Sequence, residues 1–177
     1  GFIRFAYPLF PNGAEAFAIQ RRAEQILPPE MAVDAMVSRA NLYMTSRQYM
    51  AAERIYRKVM ESDSEPRHRL QALNGLALSA LAERFDSKWA MELFEALARE
   101  ALESGLTGHY LIALINRCWH IEIPLGRFVE ARATAQTILA IRDDPKHSPF
   151  WRMCGLFNLG MLEFQLGVPH AAEVLYD

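Results

Sequence analysis

Two cysteines among 177 residues, Cys118 and Cys154, exclude a disulfide framework. Both fall inside apolar helical patterns, so the expectation is two buried free thiols in a reducing compartment, the cytoplasm. No apolar run approaches the ~18 residues of a membrane span, and no signal peptide is visible. Basic residues are not in excess: 19 stand against 21 acidic ones, spread along the length, for a net charge of −2. That balance argues against direct nucleic-acid contact by this segment. No glycine-rich phosphate loop, no helix-turn-helix and no alternating strand pattern occurs.

Catalytic and metal constellations are equally absent. None of the five histidines lies four residues from another histidine or a cysteine. His109 and His120 share a helical face, but eleven residues separate them by ~16 Å, too far for one ion. Asp143-Asp144 precedes Pro145, which is a turn signal. No serine or cysteine has the neighbours of a nucleophile. The expectation is a protein that is not an enzyme and carries neither cofactor nor metal. Glu122 and Glu163 are expected to be exposed or to line a groove.

What the sequence does have is a repeat. Leu125-Gly126-Arg127-Phe128-Val129-Glu130-Ala131 returns 41 residues later as Leu166-Gly167-Val168-Pro169-His170-Ala171-Ala172. Ser46 to Ala52 and Phe85 to Ala90 rhyme with it more loosely, so the marker alanines Ala52, Ala90, Ala131 and Ala172 are spaced 38, 41 and 41. A period near 40 is that of stacked helix pairs. Helical periodicity supports this throughout. It predicts helices over 14–27, 29–44, about 46–60, 67–84 and 87–104, with two more pairs beyond. The first turns Ala16, Ile19, Ala23 and Ile26 or Leu27 inward. Thr45 or Ser46 is expected to cap the third, and Asp86 or Ser87 the fifth. Gly105 is a left-handed stop. Arg54, Arg57 and Lys58 read as a solvated face.

Within each unit a small residue is followed 12 or 13 positions later by the marker alanine, then by a large residue four further on. Ala40, Ala52 and Tyr56 form one set, and Gly160, Ala172 and Tyr176 another. Small residues let two helices approach, and the large one fills the gap to the next pair. In the third unit either Trp119 or Cys118 could hold the small position. Cys118 is preferred, because Ala77 to Ala90 shows the same one-residue insertion.

This pattern resembles the tetratricopeptide repeat. An earlier partial unit fits too, with Ala16, Ala23 and Pro28 at its alanine and proline positions. The resemblance implies an all-α, right-handed superhelical stack of antiparallel helix pairs with four to five repeats. The units fall at about 1–28, 29–66, 67–105, 107–145 and 149–177, as one domain within a longer chain. The units depart from the family's 34-residue length, running longer in the second helix and its loop. Units near 40 residues with such turns resemble the sensor arrays of large bacterial transcription activators of the maltose-operon activator type.

In tetratricopeptide arrays the first helix of each pair lines a concave groove. By that resemblance Asn41, Asn74, Leu78, Asn116, Trp119, Asn158 and Met161 form the binding face. Carboxamides offer both donor and acceptor to a peptide backbone, and Trp119 and Met161 add apolar area. The other reading makes Trp119 core and the asparagines solvated. The expected partner is a protein or peptide, or a small effector, in a sensor region of a transcription regulator. The alternative is a scaffold, with self-association through apolar array ends such as Phe2, Phe5 and Phe10.

Overall fold

The computed structural model describes residues 13–28, 31–62, 64–142, 156, 160, 162–164 and 167. Among them every regular element is helical and there is no strand. In chain order they are α1 (Gly13–Ile26), α2 (Ala32–Thr45), α3 (Tyr49–Glu61), α4 (Pro66–Arg84), α5 (Ser87–Glu103), α6 (Thr107–Arg117), a π-helical turn (Cys118–Glu122) and α7 (Phe128–Arg142). No helix among the described residues is long and apolar enough to cross a membrane. The chain divides within α5 into two compact units, residues 1–100 and 101–177.

In the first unit, α1 packs on α2, α2 on α3 and α3 on α4, and α2 also meets α4. The sequence dictates this through residue size. Ala40 of α2 and Ala52 of α3 are both fully buried in one cluster with Val37, Tyr56, Val59, Ala72 and Leu76. With methyl groups at the contact, α2 and α3 approach closely. Tyr56 then fills the space toward α4, and Leu93 of α5 packs against the same cluster.

The inward face of α1 differs from expectation. Ile19 is 52% exposed and Ile26 81% exposed, whereas Gln20 is buried and donates from Nε2 to the Ala35 carbonyl at 3.2 Å. The helix is turned so that Ala16, Gln20, Ala23 and Leu27 form the buried or half-buried stripe. Phe17 contributes by stacking obliquely on Tyr43 of α2, with ring centroids 4.8 Å apart.

The turns joining α2 to α3, α4 to α5 and the π turn to α7 share one device. Arg47, Phe85 and Gly126 have positive φ there, at 58°, 53° and 69°, and Gly167 has it too, at 74°. Each stands five residues before a marker alanine. A left-handed residue ends the helix because the next N–H can then reach back to an orphan carbonyl. Gln48 N–H reaches Tyr43 at 2.9 Å, and Arg127 N–H reaches Glu122 at 2.8 Å. Glycine adopts this conformation freely, whereas other residues lose roughly 1–2 kcal/mol. Gly126→Ala is therefore expected to lower stability by about 1 kcal/mol in urea denaturation. The added Cβ would meet nothing within 4 Å, so the loss would be a backbone effect.

These turns also decide the caps. With Arg47 left-handed, α3 starts later than the capping signal suggests, and neither Thr45 nor Ser46 caps it. The Thr45 hydroxyl instead donates to the Leu42 carbonyl at 2.9 Å. Asp86 does cap α5, accepting the Trp89 N–H at 3.0 Å.

In the second unit α6 packs on α7, and the π-helical turn packs on both. Leu111, Leu114 and Ile138 form one buried cluster, and Cys118, Ala131 and Leu162 another. Cys118 is the residue that faces the marker alanine, its Sγ 3.8 Å from the Ala131 carbonyl. The extra residue of this unit is absorbed by the π turn, where the Ile123 N–H bonds the Cys118 carbonyl at 3.0 Å. The equivalent extra residue near α4 is absorbed at the corner, where Asp86 N–H reaches six residues back to Ala80. Cys154, Asn158, Met161, Ala172 and Tyr176 lie outside the described residues.

Candidate functional site

Asn41, Leu78 and Trp119 each follow a buried small residue, Ala40, Ala77 and Cys118, by one position. On the α-helices Asn41 and Leu78 are therefore carried about 100° around from the packing contact. Asn41 is exposed, and Asn74, Leu78, Asn116 and Trp119 are half-buried. The exposed or half-exposed state of all five is what a binding face requires.

The fold already uses part of this polar capacity. Tyr56 reaches from α3 across Gly75 of α4, and its hydroxyl donates to Asn41 Oδ1 at 2.6 Å. Asn41 thus offers a ligand its NH₂ donors and the remaining lone pair of Oδ1, the other being taken by Tyr56. This bond joins α2 to α3, while the Tyr56 ring itself lies over Gly75, the neighbour of Asn74 on α4. Tyr56 is 1% exposed, and burial pushes its phenol well above the usual range. It stays a neutral donor at any physiological pH. In the second unit Asn116 ends α6 and Trp119 sits in the π turn. Asn74, Asn116 and Trp119 are all engaged within the fold as well.

The acids at the end of the first helices are not groove residues. Glu122 is 3% exposed and Glu163 9% exposed. Arg117 places Nε 2.8 Å from Glu122 Oε1 and donates from Nη2 to Thr134 Oγ1 at 2.7 Å. Thr134 completes the triangle by donating to Glu122 Oε1 at 3.2 Å. Glu163 accepts from Arg132 at 2.6 Å. Burial follows from these partners, since a carboxylate leaves water only where charge and donors replace it.

Two histidines of this unit respond to their surroundings. Burial lowers the pKa of His109 and of His120, because desolvation disfavours the imidazolium. A depressed histidine contributes stability above its unfolded pKa, and that contribution is lost as pH falls through the folded value. Thermal melting is therefore expected to weaken in acid below about pH 6.5, with a shallower dependence in His109→Gln. Cys118 is a free, buried thiol pushed up to about 12, first by burial and then by Glu122, with Arg117 opposing. It is not set up as a nucleophile. Among the described residues no group of three or more His, Cys, Asp or Glu could hold a metal ion.

One cluster escaped sequence reasoning. Glu53 of α3 is 1% exposed and pairs with Arg57 at 2.5 Å and with Arg84 of α4 at 3.1 Å. Both guanidinium groups lie over the Trp89 indole of α5, at 5.9 and 4.8 Å from its centroid. Arg57 is thus exposed, as a solvated face implies, yet anchored on both sides. The helical spacing of Glu53 and Arg57 was the available signal, but Arg84 and Trp89 lie on other helices. Comparison with protein-family models, with characterised proteins and with solved structures finds no match for this chain.

Proposed function

We propose that this chain is a non-catalytic, tetratricopeptide-like interaction module. In this reading the open sides of the first helices hold a protein or peptide segment, or a small effector. The observation that carries it is the recurring geometry of buried small residue, left-handed corner and marker alanine. That geometry sets Asn41, Leu78 and Trp119 at equivalent, partly exposed positions. Extended backbones are recognised by carboxamides, and apolar area beside them supplies affinity. A sensor region in a signal-responsive transcription regulator is the biological setting we infer from the long units.

The test is direct binding of effector and peptide libraries, followed by Trp119→Ala. That substitution is expected to weaken binding by about tenfold while the helical circular-dichroism signal is unchanged. Equal affinity in wild type and variant would remove Trp119 from the site. A scaffold role is the second reading, favoured by Ile19 and Ile26, which stand exposed on α1. Sedimentation at rising concentration separates the two, since only the scaffold reading expects self-association.

A further inference from the structure

At the corner between α4 and α5 an aromatic residue holds the left-handed position. Arg47 takes it at the corner between α2 and α3, at φ 58°, and Gly126 at the one before α7, but here it is Phe85, at φ 53°. Its ring is 85% exposed. A bulky residue in this conformation strains the backbone, and an exposed ring returns almost no burial for it. Retained strain of this kind concentrates where a chain meets something else.

The second observation is electrostatic and lies next to the first. Arg57 and Arg84 share a single carboxylate, Glu53, which is 1% exposed. Within this pairing two guanidinium groups face one carboxylate, a surplus of positive charge, while Asp86 accepts the Trp89 N–H at the start of α5. Each guanidinium carries five N–H donors in a planar fork, and Glu53 accepts one from Arg84 while pairing with Arg57 by charge. The side chains remain 55% and 39% exposed, so further donors are within reach of solvent. Glu53 and the Trp89 face hold the pair in place, so little side-chain freedom is left to lose on binding.

We propose that this corner is a docking site for an acidic protein segment carrying an aromatic or large aliphatic residue. Arg57 and Arg84 take its carboxylate, and Phe85 takes its apolar side chain. Charge complementarity selects an acid, and the exposed ring of Phe85, the residue that follows Arg84 in the chain, selects a peptide over a free anion. Arginine and aromatic residues side by side are the usual composition of interface hot spots. The site lies wholly within the first unit and does not depend on the groove residues.

The probe is a fluorescein-labelled Asp/Glu-rich peptide with a single phenylalanine, read by anisotropy against the whole chain. Two control peptides replace the acids by Asn/Gln, or the phenylalanine by glycine. The acidic peptide is expected to bind, and each control to bind about tenfold more weakly. Phe85→Gly is the decisive variant, because it should melt at a higher temperature and yet bind about tenfold more weakly. Arg57→Gln leaves Arg84 on Glu53 and is expected to lose affinity and salt dependence together. No binding of the acidic peptide, equal binding of the amide control, or undiminished affinity in Phe85→Gly would each overturn the proposal.

Discussion

Gly75→Ala is expected to destabilise the first unit by about 3 kcal/mol, although alanine is the better helix former by ~1 kcal/mol. The reason is the Tyr56 ring. A Cβ on Gly75 would overlap Tyr56 Cζ and Cε2. The ring is 1% exposed and has nowhere to retreat. Overpacking costs about 1–3 kcal/mol, with the upper end expected at so short a contact. Displacing the ring also breaks the bond from its hydroxyl to Asn41, worth about 1 kcal/mol. Tyr56→Leu alone should cost about 2–4 kcal/mol through the cavity it leaves. Combined with Gly75→Ala it should cost at least 1 kcal/mol less than the sum, because the new methyl enters that space. Urea denaturation of the four proteins gives the answer. Simple additivity would mean that Tyr56 does not cover Gly75.

Arg117→Met carries the second large effect. Removing the guanidinium leaves Glu122, 3% exposed, without its counter-charge. Breaking a buried pair from one side typically costs about 3–5 kcal/mol. Because Arg117 is 24% exposed and Thr134 still donates to Glu122, the lower end, about 3 kcal/mol, is expected here. Replacing both members, as Arg117→Met with Glu122→Leu, should recover most of that loss, since an apolar pair has no charge to strand. A single variant within about 0.5 kcal/mol of wild type would show that Glu122 has water or another partner.

These effects show which parts of the molecule can be read from sequence. The buried stripes of α3, α5, α6 and α7 follow from helical period, because Ala52, Phe94, Leu111 and Ile138 pack by size and spacing. In α2 period alone points to Met36 and Tyr43, whereas Val37 and Leu42 are buried beside Ala40, and α4 is buried on most of its circumference. Gly126 is legible as a corner because glycine alone is at ease with positive φ. Arg47 and Phe85 occupy the same position without any such mark. Only the five-residue offset to Ala52 and Ala90 gives them away. Glu163 looks like a surface acid because its partner Arg132 lies 31 residues away, and Glu122 does because the π turn brings Arg117, five residues earlier, alongside it while Thr134 comes from α7. The π turn is half legible, since the thirteen-residue interval from Cys118 to Ala131 announces an extra residue but not where it goes. For the candidate site, position was readable and availability was not. The Tyr56 hydroxyl on Asn41 depends on a glycine two helices away from the ring's own interface with α2.

The measurement that bears most directly on the account is the backbone conformation at its corners. Intraresidue amide-to-Hα cross-relaxation in solution is strong at positive φ and weak in a right-handed helix. The account predicts strong signals at Arg47 and Phe85, the non-glycine corners, each five residues before its alanine. A helical signature at Arg47 or Phe85 would contradict the shared corner. The repeat, and the binding face built upon it, would then lose their foundation.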